Sequence, residues 1–157
     1  MGQETGKTPI FLMPGDGRDY DMGRIQARFK ADGDEPPDRS SISEWRMEPN
    51  TKGIGTHSHA REDEISYVPD GTMSFLVGDE WRNAGPVSFV FVPAGVVHDF
   101  ENRSDRRAGV LNVFAPGAFE GNMPMIVDWF AQHPPEDARY ARIGRRARLR
   151  LPQSGDR

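Results

Sequence analysis

The chain has no long helical periodicity. Instead, short apolar runs alternate with glycine and proline, and this limits its fold more than any other feature. Glu64 to Val68, Met73 to Val77, Ser88 to Val92 and Ala108 to Phe114 each have the length and composition of a strand. Gly78-Asp79 separates two of these runs and predicts a hairpin turn. Ser41 to Met47 alternates, with Ile42, Glu44 and Arg46 on one face and Ser43, Trp45 and Met47 on the other. With 17 glycines and 13 prolines among 157 residues, many short strands joined by turns point to a sandwich, jelly roll or barrel. Trp45, Met47, Met73, Phe75 and Phe114 are expected in its interior, and Trp81, just after the turn, at a rim or an interface.

The flanks are less regular. Ile10 to Leu12 is expected as a short strand and Arg24 to Lys30 as another, with Asp32 to Ser40 as turn and loop material. After Pro116 the pattern changes. Met125, Ile126, Trp129 and Phe130 are spaced for an amphipathic helix over Met125 to Gln132, which Pro134-Pro135 stops. The length suits one domain with a real core. Its expected parts are residues 1–40 as N-terminal strands and loop, 41–118 as a barrel, and 119–157 as a helix and tail.

Composition removes several chemistries. Without cysteine there are no disulfides, thiolate metal sites or cysteine nucleophile. The net charge of −4 gives no electrostatic reason to bind nucleic acid. Residues 138–157 hold seven arginines against one acid, Asp156. That basic tail is expected to be solvated, an added strand, or an arm across a dimer partner. The N-terminal run MGQETGKTPIFLMPGDG lacks the long apolar stretch of a signal peptide, and no run is long enough to span a bilayer. The expected location is the cytoplasm, with no membrane partner.

Two of only four histidines form His57-Ser58-His59. In a strand, residues i and i+2 share a face, so both imidazoles can meet one ion. Glu64, five residues after His59, falls in the opposite phase, so Ala60 to Asp63 must bend and deliver it from a neighbouring strand. An antiparallel barrel can bring His98 beside them. Three imidazoles and a carboxylate suit a first-row divalent ion. On an octahedral ion they leave two positions open. Glu62 and Asp63 are expected as solvated loop acids, His133 as a surface or helix-end histidine, and Asp99 as pointing away from the site.

The segment His57-Ser58-His59, four residues, Glu64, six residues, Gly71 resembles the first cupin motif. Pro93-Ala94-Gly95, two residues, His98, three residues, Asn102 resembles the second. The departures are Thr51 in place of the leading glycine of the first motif, with Gly53 and Gly55 nearby, and a longer gap from Gly85 to Pro93. They leave the ligand positions intact. The resemblance implies an all-β fold, a cupin double-stranded β-helix or jelly-roll barrel, with N-terminal strands and a short C-terminal helix, often dimeric. It implies one divalent metal (Fe, Mn, Ni, Zn or Co) inside the barrel on His57, His59, Glu64 and His98. Asn102 closes the second motif as a structural residue.

Single-domain cupins of this kind are often likened to quercetin dioxygenase. The expected function is therefore a metal-dependent dioxygenase acting on a small organic substrate, with Glu64 as ligand, general base or both. The same ligands serve a non-redox isomerase, lyase or decarboxylase, or a non-enzymatic small-molecule binder.

Overall fold

The computed structural model describes residues 9–32 and 39–134. Most of the loop expected over 32–40 and the whole basic tail lie outside the described residues. The strands are β1 (Arg18–Asp21), β2 (Ile25–Ala31), β3 (Ser41–Met47), β4 (Asp63–Asp70), β5 (Met73–Val77), β6 (Glu80–Ala84), β7 (Phe89–Val92), β8 (His98–Glu101) and β9 (Ala108–Ala115). They form a six-stranded sheet in the order β1-β2-β3-β9-β4-β7 and a three-stranded sheet in the order β6-β5-β8. All pairings are antiparallel. This is the jelly-roll arrangement expected of an all-β chain.

Period-two alternation sorts the residues between core and outer surface. In β3, Ser41, Ser43, Trp45 and Met47 are buried, while the residues between them are not. On β4 the inner set is Glu64, Ser66 and Val68, and on β9 it includes Val110, Asn112 and Phe114. Met73 and Phe75 from β5 and Phe100 from β8 face the same core, where Trp45 meets Phe100 edge-on at 5.8 Å between ring centres. Trp81 is half-buried on β6, with the Arg103 guanidinium 3.7 Å above its ring.

A 3-10 turn, Phe119–Asn122, leads into helix α1 (Met123–Gln132). The helix buries Met123, Ile126 and Phe130 along one face. It starts two residues before the expected point because Pro124 suits a first turn, where its missing N–H costs nothing. Asp32 joins this segment to the sheet. Its buried carboxylate accepts hydrogen bonds from Ser41 Oγ, from Ala118 N at 2.6 Å and from Glu120 N at 2.5 Å.

One expectation needs correction. Ile10 to Leu12 is not a strand; it is exposed, Phe11 by 87%. An apolar run needs an edge to pair with, and the first strand to find one is Arg18–Asp21, which pairs with β2. That strand and β6 are polar sequences, RDYD and EWRNA. Their pairing is set by the neighbouring strand rather than by a pattern of their own.

Candidate metal centre

Glu64 projects inward from β4, which lies between β7 and β9. His98 opens β8. His57 and His59 come from Thr51–Ala60, which is not a ladder strand. Two isolated bridges pin it, Thr51 to Asn102 and His57 to His98. His57 N donates to His98 O at 3.0 Å, His98 N to His57 O at 2.8 Å, and Gly95 N to His59 O at 2.7 Å. The two sequence motifs are thus fastened to each other, end to end and ligand to ligand.

Glycine makes the close fit possible. A Cβ on Gly53 would lie 1.9 Å from the Phe100 carbonyl oxygen, so no side chain fits there. At Gly71, with φ +72°, a Cβ would lie 2.6 Å from Ala108 Cα. Asp99 braces the same segment. It is buried, and its Oδ1 accepts from Phe100 N at 2.8 Å and Gly55 N at 3.3 Å. Burial, with Glu101 adding, pushes its carboxyl up to about 7.

The four side chains converge. One ligand-type atom from each of His57, His59, Glu64 and His98 lies within 4.8 Å of the others. The ring centres of His57 and His98 are 4.4 Å apart, and those of His59 and His98 5.1 Å. His59, Glu64 and His98 are buried, and His57 is half-buried. Phe114 and Phe119, stacked 4.0 Å apart, stand edge-on to the His59 ring at 5.4 and 5.8 Å and form an apolar wall.

Hydrogen bonds fix two of the tautomers. His57 Nδ1 lies 2.7 Å from Gly55 O, and His98 Nδ1 lies 2.9 Å from Val96 O. A carbonyl only accepts, so each Nδ1 carries a hydrogen and each Nε2 turns toward the cluster. His98 Nε2 is 2.7 Å from Glu64 Oε2. His59 Nε2 is 3.4 Å from the same oxygen, outside hydrogen-bond geometry, and is a buried nitrogen without a hydrogen-bond partner.

Electrostatics follow from this crowding. Burial raises the Glu64 carboxyl, but the His59 and His98 imidazoles beside it outweigh that and hold it well below the usual carboxylate range. Burial lowers His98, yet the Glu64 carboxylate more than compensates and raises it. His57 is pushed down to about 4, by burial first and by His98 second.

The donor set fits a divalent cation. A ring nitrogen from each of three histidines and an anionic oxygen gather within 4.8 Å of one another, and the buried His59 Nε2 has no hydrogen bond that an ion would have to displace.

The other sequence-predicted residues fall elsewhere. Asp63 is not a solvated loop acid. It begins β4, half-buried, and its Oδ1 accepts from Ala94 N at 2.9 Å, because the strand carries it against the Pro93-Ala94-Gly95 turn. Glu62 precedes the strand outside the cluster. His133 caps the end of α1, with Nδ1 3.0 Å from Trp129 O. Asn102 is structural. Its Nδ2 donates to Met47 O, Glu48 O and Arg106 O.

Sequence reasoning missed Asn112 and Ser66. Asn112 Nδ2 donates to Glu64 Oε1 at 3.1 Å, and Ser66 Oγ donates to Asn112 Oδ1 at 2.9 Å. The available signal was strand phase: Ser66 shares the inner phase of β4 with Glu64, and Asn112 that of β9 with Phe114.

Residues 43–114 match the family model described as "Cupin domain". None of the curated proteins matches the chain. Among solved structures, KdgF from Halomonas sp. superposes with a TM-score of 0.63 at 20% identity, over 73% of this chain and 99% of that one. An RmlC-like cupin from Shewanella frigidimarina gives 0.62 at 16%, over 73% and 97%. Oxalate decarboxylase from Bacillus subtilis, a protein with Mn(II) centres, gives 0.62 at 21%, over 73% of this chain and 31% of that one. With both motifs in place on a jelly roll that these structures share, residues 43–114 form a cupin domain.

Proposed function

We propose that the chain is a metal-dependent enzyme, a dioxygenase acting on a small organic substrate, with His57, His59, Glu64 and His98 as metal ligands. One observation carries the reading: the buried His59 Nε2 has no hydrogen-bond partner and lies 3.4 Å from Glu64 Oε2, the oxygen that His98 Nε2 also meets. A bound divalent ion supplies Lewis-acid polarisation of substrate oxygens and, where redox-active, a site for dioxygen. The chain itself does the positioning. The carbonyls of Gly55 and Val96 hold the His57 and His98 rings with Nε2 inward. Phe114 and Phe119 keep water from the His59 side. Half-buried His57 marks the side from which a substrate approaches.

The test begins with metal analysis of protein purified without added metal, followed by anaerobic reconstitution with Fe(II), Mn(II), Co(II), Ni(II) and Zn(II). Oxygen uptake with a panel of small organic substrates then decides the reaction class. Substrate-dependent uptake by the Fe(II) form is expected. Turnover without uptake assigns the centre to an isomerase, lyase or decarboxylase, and stoichiometric substrate binding without turnover assigns it to a binding protein.

We further propose that the protein is a cytoplasmic homodimer. The outer face of β4 and β7 supports the dimer: Tyr67 opposes Phe89 and Ile65 opposes Phe91, with Phe89 and Phe91 exposed by 64% and 47%. Sizing by light scattering should give twice the chain mass, and Phe89→Glu/Phe91→Glu should halve it. Among the described residues, no helix is long and apolar enough to cross a membrane.

A further inference from the structure

The two oxygens of Glu64 have unlike surroundings. Oε2 faces the histidines, 2.7 Å from His98 Nε2 and 3.4 Å from His59 Nε2. Oε1 accepts from Asn112 Nδ2 at 3.1 Å. The Asn112 carboxamide cannot turn over freely. An ionised carboxylate only accepts, so the amide N–H belongs on the Glu64 side, and the amide oxygen then accepts from Ser66 Oγ at 2.9 Å. Ser66 and Asn112 are opposite partners in the β4–β9 ladder, and Glu64 is diagonal to Asn112 across the same two strands.

Glu64, Ser66 and Asn112 are 3%, 3% and 1% exposed, in an interior otherwise filled by residues such as Val68, Val110 and Phe114. Polar groups buried this deeply cost free energy unless they satisfy one another. The row Ser66–Asn112–Glu64 does so in only one orientation. If the carboxylate swung out of the cluster, the Asn112 N–H would be stranded with no water to replace it. Turning both oxygens to one ion would compete with the same bond.

We propose that Asn112, oriented by Ser66, is a positioning residue that commits Glu64 to coordinate through Oε2 alone and keeps it from serving as a mobile base. This rests on the metal-centre reading above and decides the role of Glu64 within it.

The test uses Co(II) as the probe on the full chain, reading both the dissociation constant and the visible absorption bands. Asn112→Leu keeps the approximate size and removes the donor. It should weaken Co(II) binding by about 10–100-fold, the usual cost of losing a group that orients a metal ligand, and should change the band shape as the carboxylate becomes free to bind through both oxygens. Ser66→Ala leaves the donor but releases its orientation. Its loss should be smaller, about 2–10-fold, as for one ordinary hydrogen bond. In a Glu64→Gln background, Asn112→Leu should change neither reading further.

Unchanged affinity and spectrum in Asn112→Leu overturn the proposal. So does an equal loss in the Glu64→Gln background, which would mean that Asn112 acts on the barrel as a whole. If urea unfolding of the metal-free protein shows that Asn112→Leu is unfolded, Ser66→Ala decides, and an unaltered affinity there counts against the proposal. Failure of the unsubstituted protein to bind Co(II) would overturn the metal centre itself, which is a different result from a bound ion indifferent to Asn112.

Discussion

The cluster has two halves built by different means. Glu64 sits in mid-sheet between two ladder partners, and His98 opens a strand paired with β5. His57 and His59 hang on a segment with no ladder, held by two single bridges, the Gly95–His59 hydrogen bond and the Asp99 brace. Ladder positions share their support among many backbone bonds, so a single substitution perturbs them little. The pinned segment depends on a few contacts, one of which is a glycine with no room for a methyl group. The halves should therefore differ sharply in their response to mutation and to metal.

The largest effect falls on the pinned half. His57→Ala/His59→Ala should abolish stoichiometric metal binding, measured as metal content after dialysis; full occupancy in that variant would remove the site. Next comes the backbone that carries it. Gly53→Ala should destabilise the protein by about 1–3 kcal/mol, the usual cost of overpacking, read as a lower urea midpoint, and should weaken metal binding at the same time. A loss of stability with unchanged metal affinity would show that the segment's position does not matter to the histidines.

Metal removal sharpens the contrast further. A bound ion at 100 times its dissociation constant stabilises the folded state by about 2.7 kcal/mol, and stripping it should lower the melting temperature. Amide exchange should then rise most over residues 53–60 and least over β4 and β9; a uniform rise would erase the distinction. The smallest effect is expected at His133, at the end of α1. His133→Ala should leave metal content unchanged.

The sequence revealed these regions unequally. The four cluster residues were legible because histidine is rare here and its spacing matches both motifs. Strand periodicity brought His57 and His59 to one face for a reason the backbone does not share: they sit on a pinned segment rather than in a ladder. The bend expected between His59 and Glu64 is present at Ala60-Arg61. Apolar strands such as β5, β7 and β9 announced themselves, whereas β1 and β6 did not, because RDYD and EWRNA are polar sequences with no hydrophobic pattern of their own. Asn112 and Ser66 escaped notice because each is an ordinary polar residue, and only pairing across β4 and β9 gives them meaning.

The contact of Phe119 with His59 orders events in time. All four cluster residues precede β9, which flanks Glu64, and Phe119, which walls His59, in order of synthesis, so they emerge from the ribosome first. A chain that has emerged as far as His98 presents every proposed ligand and still lacks the strand and the ring that shield them. At the proposed centre, a cation met before the barrel closes is therefore held by ligands still open to water.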